Sequence, residues 1–303
     1  MDTITPEKRK ITVGLPVYNG EKYLQNRLDS ILTQTYTNFE LIISDNNSID
    51  KTNEICSNYA KKDFRIKYFK QDKNIGLEKN FKFVLDQARC DFFVWASDDD
   101  VWRNDFLEKT INELSVNDGA VGCTSKVKRI GKIINEFKEL ENDSWFKKKY
   151  KNFRRNNRKF GTISVSGNWH KKAETYMKIQ SGQAFYSVFR TDELKKSFQG
   201  LPSYASDMAL IMAILKYGDI ICIEETLWYF HNEGLSSENI LDKFKTKKIT
   251  FIELFTSPSS FVKWIIQKFG IKFVLKNIMF FIFLYTIYPT NILIQILLDR
   301  KNN

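Results

Sequence analysis

The chain has 303 residues, 43% hydrophobic and 27% charged, with 47 Lys+Arg against 36 Asp+Glu and a net charge of +11. That length suffices for one large α/β domain, with or without an appendage, and the scarcity of Gly and Pro (13 and 5) excludes long disordered linkers. The basic excess points to a polyanionic partner: nucleic acid, an anionic membrane surface or a phosphorylated substrate.

The opening MDTITPEKRK lacks the apolar core of a secretory signal. Cys56, Cys90, Cys123 and Cys222 lie far apart, with neither a C-x-x-C pair nor zinc-like spacing. The expectation is a reducing, cytoplasmic setting with the cysteines as small buried hydrophobes.

From 11 to about 125 the pattern alternates. ITVGLPVY (11–18) reads as a strand closed by the turn signal Asn19-Gly20, and Leu24, Leu28, Ile31 and Leu32 follow at helical spacing. FELIIS (39–44) is a second strand, followed by polar DNNSIDKTN and a helix through Ala60. RIKYF (65–69) is a third, after which DKNIG opens a helix carrying Leu77, Phe81, Val84, Leu85 and Ala88. DFFVWA (91–96) is the fourth, running into Asp98-Asp99-Asp100 and a helix near 104–114. Such alternation predicts parallel βαβ units with helices on both sheet faces. In these sheets ligands bind beyond the carboxyl ends of the strands, where Tyr18-Asn19, Asp45-Asn46-Asn47-Ser48 and the three aspartates all fall.

From about 126 to 240 the pattern is less regular. It holds a basic, aromatic stretch WFKKKYKNFRRNNRKF (145–160), then GNWHKK, the apolar run AFYSVF (184–189) and a helix at about 204–217 closed by Gly218. DIICIEE reads as a strand, and LWYFHNEGLSS runs out of it into a turn. After 240, Lys263, Lys268, Lys272 and Lys276 recur among apolar residues as in a basic amphipathic helix, and 278–298 carries no charge but is interrupted by Pro289, Thr290 and Asn291. This tail is expected to associate with the cytoplasmic membrane surface as an interfacial or re-entrant segment.

Three adjacent carboxylates repel one another and resist burial, so a compensating partner is required. A divalent cation with hard oxygen ligands, Mn2+ or Mg2+, is one; a solvated loop whose aspartate caps the next helix is the other. At the rim of the sheet these residues resemble the family 2 glycosyltransferases of GT-A fold. Four elements match in order: Pro16-Val17-Tyr18-Asn19, Asp45-Asn46-Asn47-Ser48, Asn74-Ile75-Gly76 with Asn80, and Asp98-Asp99-Asp100. The family often writes the last as D-x-D-D, starting where this chain has Ser97.

The resemblance implies a mostly parallel Rossmann-like sheet with a nucleotide-sugar half (1–125), an acceptor half (126–240) and a C-terminal helical segment (241–303). It implies that Pro16, Val17, Tyr18 and Asn19, with Asn47, Asn74 and Gly76, border the nucleotide, and that Asp45 accepts the N3–H of a uracil. Asp98 would meet the ribose and Asp99 the metal on the diphosphate, with Asp100 a second ligand or an orienting neighbour. His231 would reach the metal or diphosphate. An inverting transfer needs a base, and Asp207 in YASDMALIMAI fits, although a first-turn aspartate also simply suits the helix dipole; Asp192 competes. Trp169 and His170 are candidates for lining the acceptor pocket. The absence of a Q-x-x-R-W element favours single addition of a sugar to a glycan or lipid-linked acceptor of a bacterial surface polysaccharide. A nucleic-acid-binding protein using 145–160 is the alternative from another class, though it leaves the rim loops unexplained and no nucleic-acid partner is expected.

Overall fold

The structure is a computed structural model that describes residues 10–130, 162–179, 181–231, 258–282 and 284–285. The first half follows the alternation in the sequence: β1 (Ile11–Val17), α1 (Leu24–Leu32), β2 (Phe39–Asp45), α2 (Thr52–Lys62), β3 (Ile66–Lys70), α3 (Leu77–Gln87) and β4 (Phe92–Trp95). β1 pairs in parallel with β2 and β4, and β2 with β3. Every residue of β1 and β2 is buried, as a parallel strand covered on both faces requires. Ile11, Val13, Leu15 and Val17 face a core shared with Leu24, Leu28 and Ile31 of α1. Ile42, Phe93 and Trp95 face the opposite one, with Val84 and Leu85 of α3. Gly14 lies on that second face. A Cβ there would stand 2.6 Å from Phe93 and 2.9 Å from Val84, so only glycine lets α3 come this close.

The chain continues through β5 (Val101–Trp102), α4 (Phe106–Val116), β6 (Ala120–Ile130), α5 (Trp169–Ile179), a 3₁₀ turn (Gly182–Tyr186), β7 (Val188–Arg190), α6 (Thr191–Phe198), α7 (Ser206–Ile214) and β8 (Asp219–His231). The strands form one mixed, mostly parallel sheet in the order β3-β2-β1-β4-β7-β6-β8-β5. β7 is antiparallel to β4 and β6, while β8 is parallel to β6 and antiparallel to β5. β6 runs across the boundary at 125, and both parts of the chain share one sheet. Of the apolar run at 184–189 only the end is extended, because 182–186 winds into the 3₁₀ turn.

Three short helices follow: α8 (Pro258–Phe269), α9 (Ile271–Lys276) and α10 (Ile278–Ile282). Gly270, at φ +80°, breaks the first from the second. Phe261, Trp264, Ile265, Phe269, Phe273, Val274 and Phe281 join the same core as α5 and α7. The described part of 241–303 is therefore docked on the domain instead of standing apart from it. No helix among the described residues is long and apolar enough to cross a membrane. Most of 278–298 lies outside the described residues, as does all of 145–160.

Candidate functional site

β1 and β2 end side by side, Val17 against Asp45, and β4 ends beside β1, Trp95 against Gly14. Segments 18–20, 46–50 and 96–100 thus share one rim, and the segment after β3 joins it because Lys70 pairs with Asp45. Asn19 (φ 53°) and Asn47 (φ 61°) adopt left-handed backbone, which asparagine tolerates better than most residues. The Asn19 amide donates to Ser48 Oγ (2.9 Å), Asn19 Oδ1 accepts from Ile49 N–H (3.0 Å), and Gly20 N–H donates to Thr52 Oγ1 (2.8 Å). The first two loops are thereby tied together.

A second set of bonds ties β2 to the segment leading into α3. Asn46 Nδ2 donates to Asn74 Oδ1 (3.0 Å), which also accepts from Gly76 N–H (2.9 Å); Ser44 Oγ donates to Asn80 Oδ1 (2.6 Å). Gly76 itself needs φ +89°, a conformation that suits glycine. The motif asparagines thus build the frame of the rim. Among the nucleotide candidates, Pro16 and Val17 are buried in β1, Tyr18 and Asn47 are half-buried, and Asn19, Asn74 and Gly76 are exposed.

Asp45 differs from its expected part. It is 0% exposed, with Oδ1 accepting from Ser48 N–H (2.9 Å) and Oδ2 from Tyr68 OH (3.0 Å). It fixes the turn after β2, and a base reaches it only if this frame opens.

The aspartate loop is graded in burial. Asp98 and Asp99 are half-buried, while Asp100 is 2% exposed and its Oδ2 accepts from Trp228 Nε1 at 3.0 Å. Ser97 Oγ donates to Asp99 Oδ1. Asp98 lies against Gly20: a Cβ on that glycine would come within 3.0 Å of Asp98 Oδ2. Desolvation, reinforced by the neighbouring Asp99 charge, pushes the Asp98 carboxyl up to about 7. Among the described residues no three His, Cys, Asp or Glu side chains stand together as a metal-holding group; the side chain of His231 lies outside what the structure describes. One or two rim carboxylates still fit Mn2+ or Mg2+, hard ions that complete their shells with water and substrate phosphate. Asp99, with Asp98 beside it, is available for this, whereas Asp100 anchors the loop to β8.

The backbone of His231 ends β8 opposite Ile130, two residues beyond Tyr229, the partner of Val101, which places it beside the aspartate loop. Asp207 is exposed in the first turn of α7, after Ala205, a non-glycine residue at φ 55°. Tyr186 packs its ring 5.6 Å from that of Trp228, and desolvation raises its phenol well above the usual range, with the charges of Asp100, Asp99, Asp98 and Asp207 adding to the effect.

Asp192, the competing base, is removed by topology. It follows Arg190, which pairs with Phe92 at the start of β4, so it lies at the sheet edge opposite the rim. Trp169 and His170 lie against the C-terminal helices. Trp169 Nε1 donates to Met212 O (2.8 Å) and its ring packs 4.5 Å from Phe269, while His170 lies 5.5 Å from the Phe269 ring. They seat the C-terminal helices. Sequence reasoning missed Arg27, Tyr186 and Trp228. Of these, Arg27 was detectable, since a charge falls on the apolar stripe of Leu24, Leu28 and Ile31.

Residues 12–174 match the sequence pattern of Glycosyl transferase family 2. The chain is 33% identical over 143 residues to the GalNAc(5)-diNAcBac-PP-undecaprenol beta-1,3-glucosyltransferase of Campylobacter jejuni, covering 46% of each protein. It spans less than half the length of the curated relatives it matches. Its fold resembles S. aureus TarS 1-349, solved in complex with UDP-GlcNAc, at a TM-score of 0.56 and 20% identity over 82% of this chain and 67% of that one. It also resembles the Pyrobaculum calidifontis mannosyltransferase PcManGT, solved with GDP-Man and Mn2+, at a TM-score of 0.50 and 15% identity over 96% of this chain and 85% of that one. With an α/β sheet similar to that of GT-A enzymes and a family pattern spanning more than half its length, the chain belongs to glycosyl transferase family 2.

Proposed function

We propose that the protein moves a single sugar from a nucleotide diphosphate donor, a UDP-sugar, to a glycan or lipid-linked glycan with inversion, assisted by Mn2+ or Mg2+. The observation that carries this reading is the rim itself: the ends of β1, β2 and β4 gather the polar loops 18–20 and 46–50 and the carboxylate loop 96–100 on one side of the sheet. The donor half (1–125) would hold the nucleotide along 16–19, 46–50 and 74–76, with Asp98 toward the ribose. UDP is favoured by the resemblance and by the UDP-GlcNAc seen in the TarS fold relative. Contact between Asp45 and a uracil requires the Tyr68 hydroxyl to give way.

Asp99 would hold the divalent ion, which when bound neutralises charge on the departing phosphate. On the acceptor side (126–240), Asp207 would accept the proton of the acceptor hydroxyl as its oxygen bonds to the sugar carbon. The sugar–phosphate bond breaks in the same displacement, and the diphosphate leaves with the electron pair.

We assign the work to an anionic membrane surface. The outer side of α8–α10 exposes Ile266, Ile271, Leu275, Ile278, Met279 and Ile282 beside Lys263, Lys268 and Lys272, while Lys276 pairs with Glu174 of α5 at 2.6 Å. Apolar side chains bordered by lysines suit the headgroup boundary of a bilayer. The nucleic-acid reading rests on 145–160, and no observation favours it.

The test is a panel of nucleotide sugars with Mn2+ and a bacterial lipid extract as acceptor source, followed by release of the nucleoside diphosphate. One donor class should turn over, stop in EDTA and recover with Mn2+ or Mg2+. Undiminished release in EDTA contradicts the role of the ion, and no release from any donor contradicts the transfer.

A further inference from the structure

Arg27, on α1, is 1% exposed, and its guanidinium carbon lies 3.8 Å from the centre of the Trp102 indole ring. Nη1 has one long bond, to Ser30 Oγ at 3.5 Å, while Nε and Nη2 are buried without a hydrogen-bond partner. A buried cation with two orphaned donors is costly unless another charge compensates it. The acidic charges that act on it are those of Asp100, Asp99 and Asp98. The same stack reaches the loop from below: Trp102 pairs across strands with Trp228, whose Nε1 donates to Asp100 Oδ2. One buried positive charge, stacked on the residue two places after Asp100, thus lies within electrostatic reach of three carboxylates.

We propose that Arg27 is a positioning residue that acts as a permanent internal counter-ion of the aspartate loop. It stands in for part of a divalent cation before that cation arrives and lowers the loop's affinity for the free ion. This rests on the reading of the loop as the ion site. Because Asp100 is held by Trp228 and Asp99 by Ser97, the loop keeps its shape when the charge of Arg27 is removed. What changes is the potential felt by an incoming cation. Free ion binding is then weak in the native protein, so that the ion enters chiefly together with the diphosphate that supplies its remaining ligands.

The test uses Arg27→Met, which keeps an unbranched apolar stem without the charge, and Arg27→Gln as a second neutral variant should the first not fold. Mn2+ is titrated into nucleotide-free protein while the paramagnetic resonance signal of free Mn2+ is followed, and melting is recorded in EDTA and in Mn2+. The variant should bind Mn2+ at least about tenfold more tightly than the native protein, the influence of one unit charge at an effective dielectric constant of about 20. It should also melt lower in EDTA and regain most of the loss in Mn2+. Equal Mn2+ affinity, or a melting loss that Mn2+ leaves unrepaired, means that Arg27 only packs against Trp102 and overturns the inference. If neither protein binds Mn2+ at all, the ion site itself falls, a result distinct from equal binding by both.

Discussion

Asp207 and Trp228 show how much of the site depends on single side chains. Asp207 is exposed at the head of α7, so Asp207→Asn removes a charge from the surface and leaves the core of Leu210, Ile211 and Ile214 intact. Transfer should fall by about 10²–10⁴-fold, the usual contribution of a general base, while UDP affinity stays unchanged. Transfer within a few-fold of the native rate would reduce Asp207 to a helix-start residue. Trp228 is different because its indole N–H serves a buried carboxylate. Trp228→Phe keeps an aromatic ring against Tyr186 but withdraws that donor from Asp100. Chemical denaturation should register a loss of about 1–3 kcal/mol, the cost of depriving a buried group of a partner. No change in stability would show that Asp100 does not depend on Trp228.

At the level of elements, the sequence was most readable where one rule decided the outcome. β1, β2 and β4 are central strands, and their mainly apolar runs lie within a residue or two of the predicted spans. The rim loops were legible for the same reason, since the strands end where the polar clusters begin. β6 was not. AVGCTSKVKRI mixes small, polar and basic residues because its far end becomes half-buried, so neither alternation nor an apolar run marks it. The true setting of Asp45 was hidden because Tyr68, which covers it, comes from β3. The roles of Trp169 and His170 depended on Phe269, a hundred residues away. The C-terminal helices were half-legible: their lysine spacing was visible, but not that one face would pack into the core. Their exposed side carries its own prediction. Leu275→Asp with Met279→Asp should abolish co-flotation with vesicles containing phosphatidylglycerol, and vesicles of phosphatidylcholine alone should capture the native protein less. Undiminished flotation of the double variant would contradict lipid docking by this face.

For the whole molecule, the sheet joins the first and second parts of the chain in one unit. β4 ends at the aspartate loop, β7 binds its other edge, and β8 returns beside β5 to clamp the same loop through Trp228. Segments from both parts of the chain therefore meet at one end of a continuous sheet. Amide hydrogen exchange, recorded with and without UDP and Mn2+, tests this most directly because it reports where the nucleotide binds independently of turnover. Protection should appear together at 17–20, 46–50, 74–80 and 96–102, with the edge near Asp192 unchanged. Protection confined to 145–160, or none at the rim at saturating UDP, would contradict the assignment of the site.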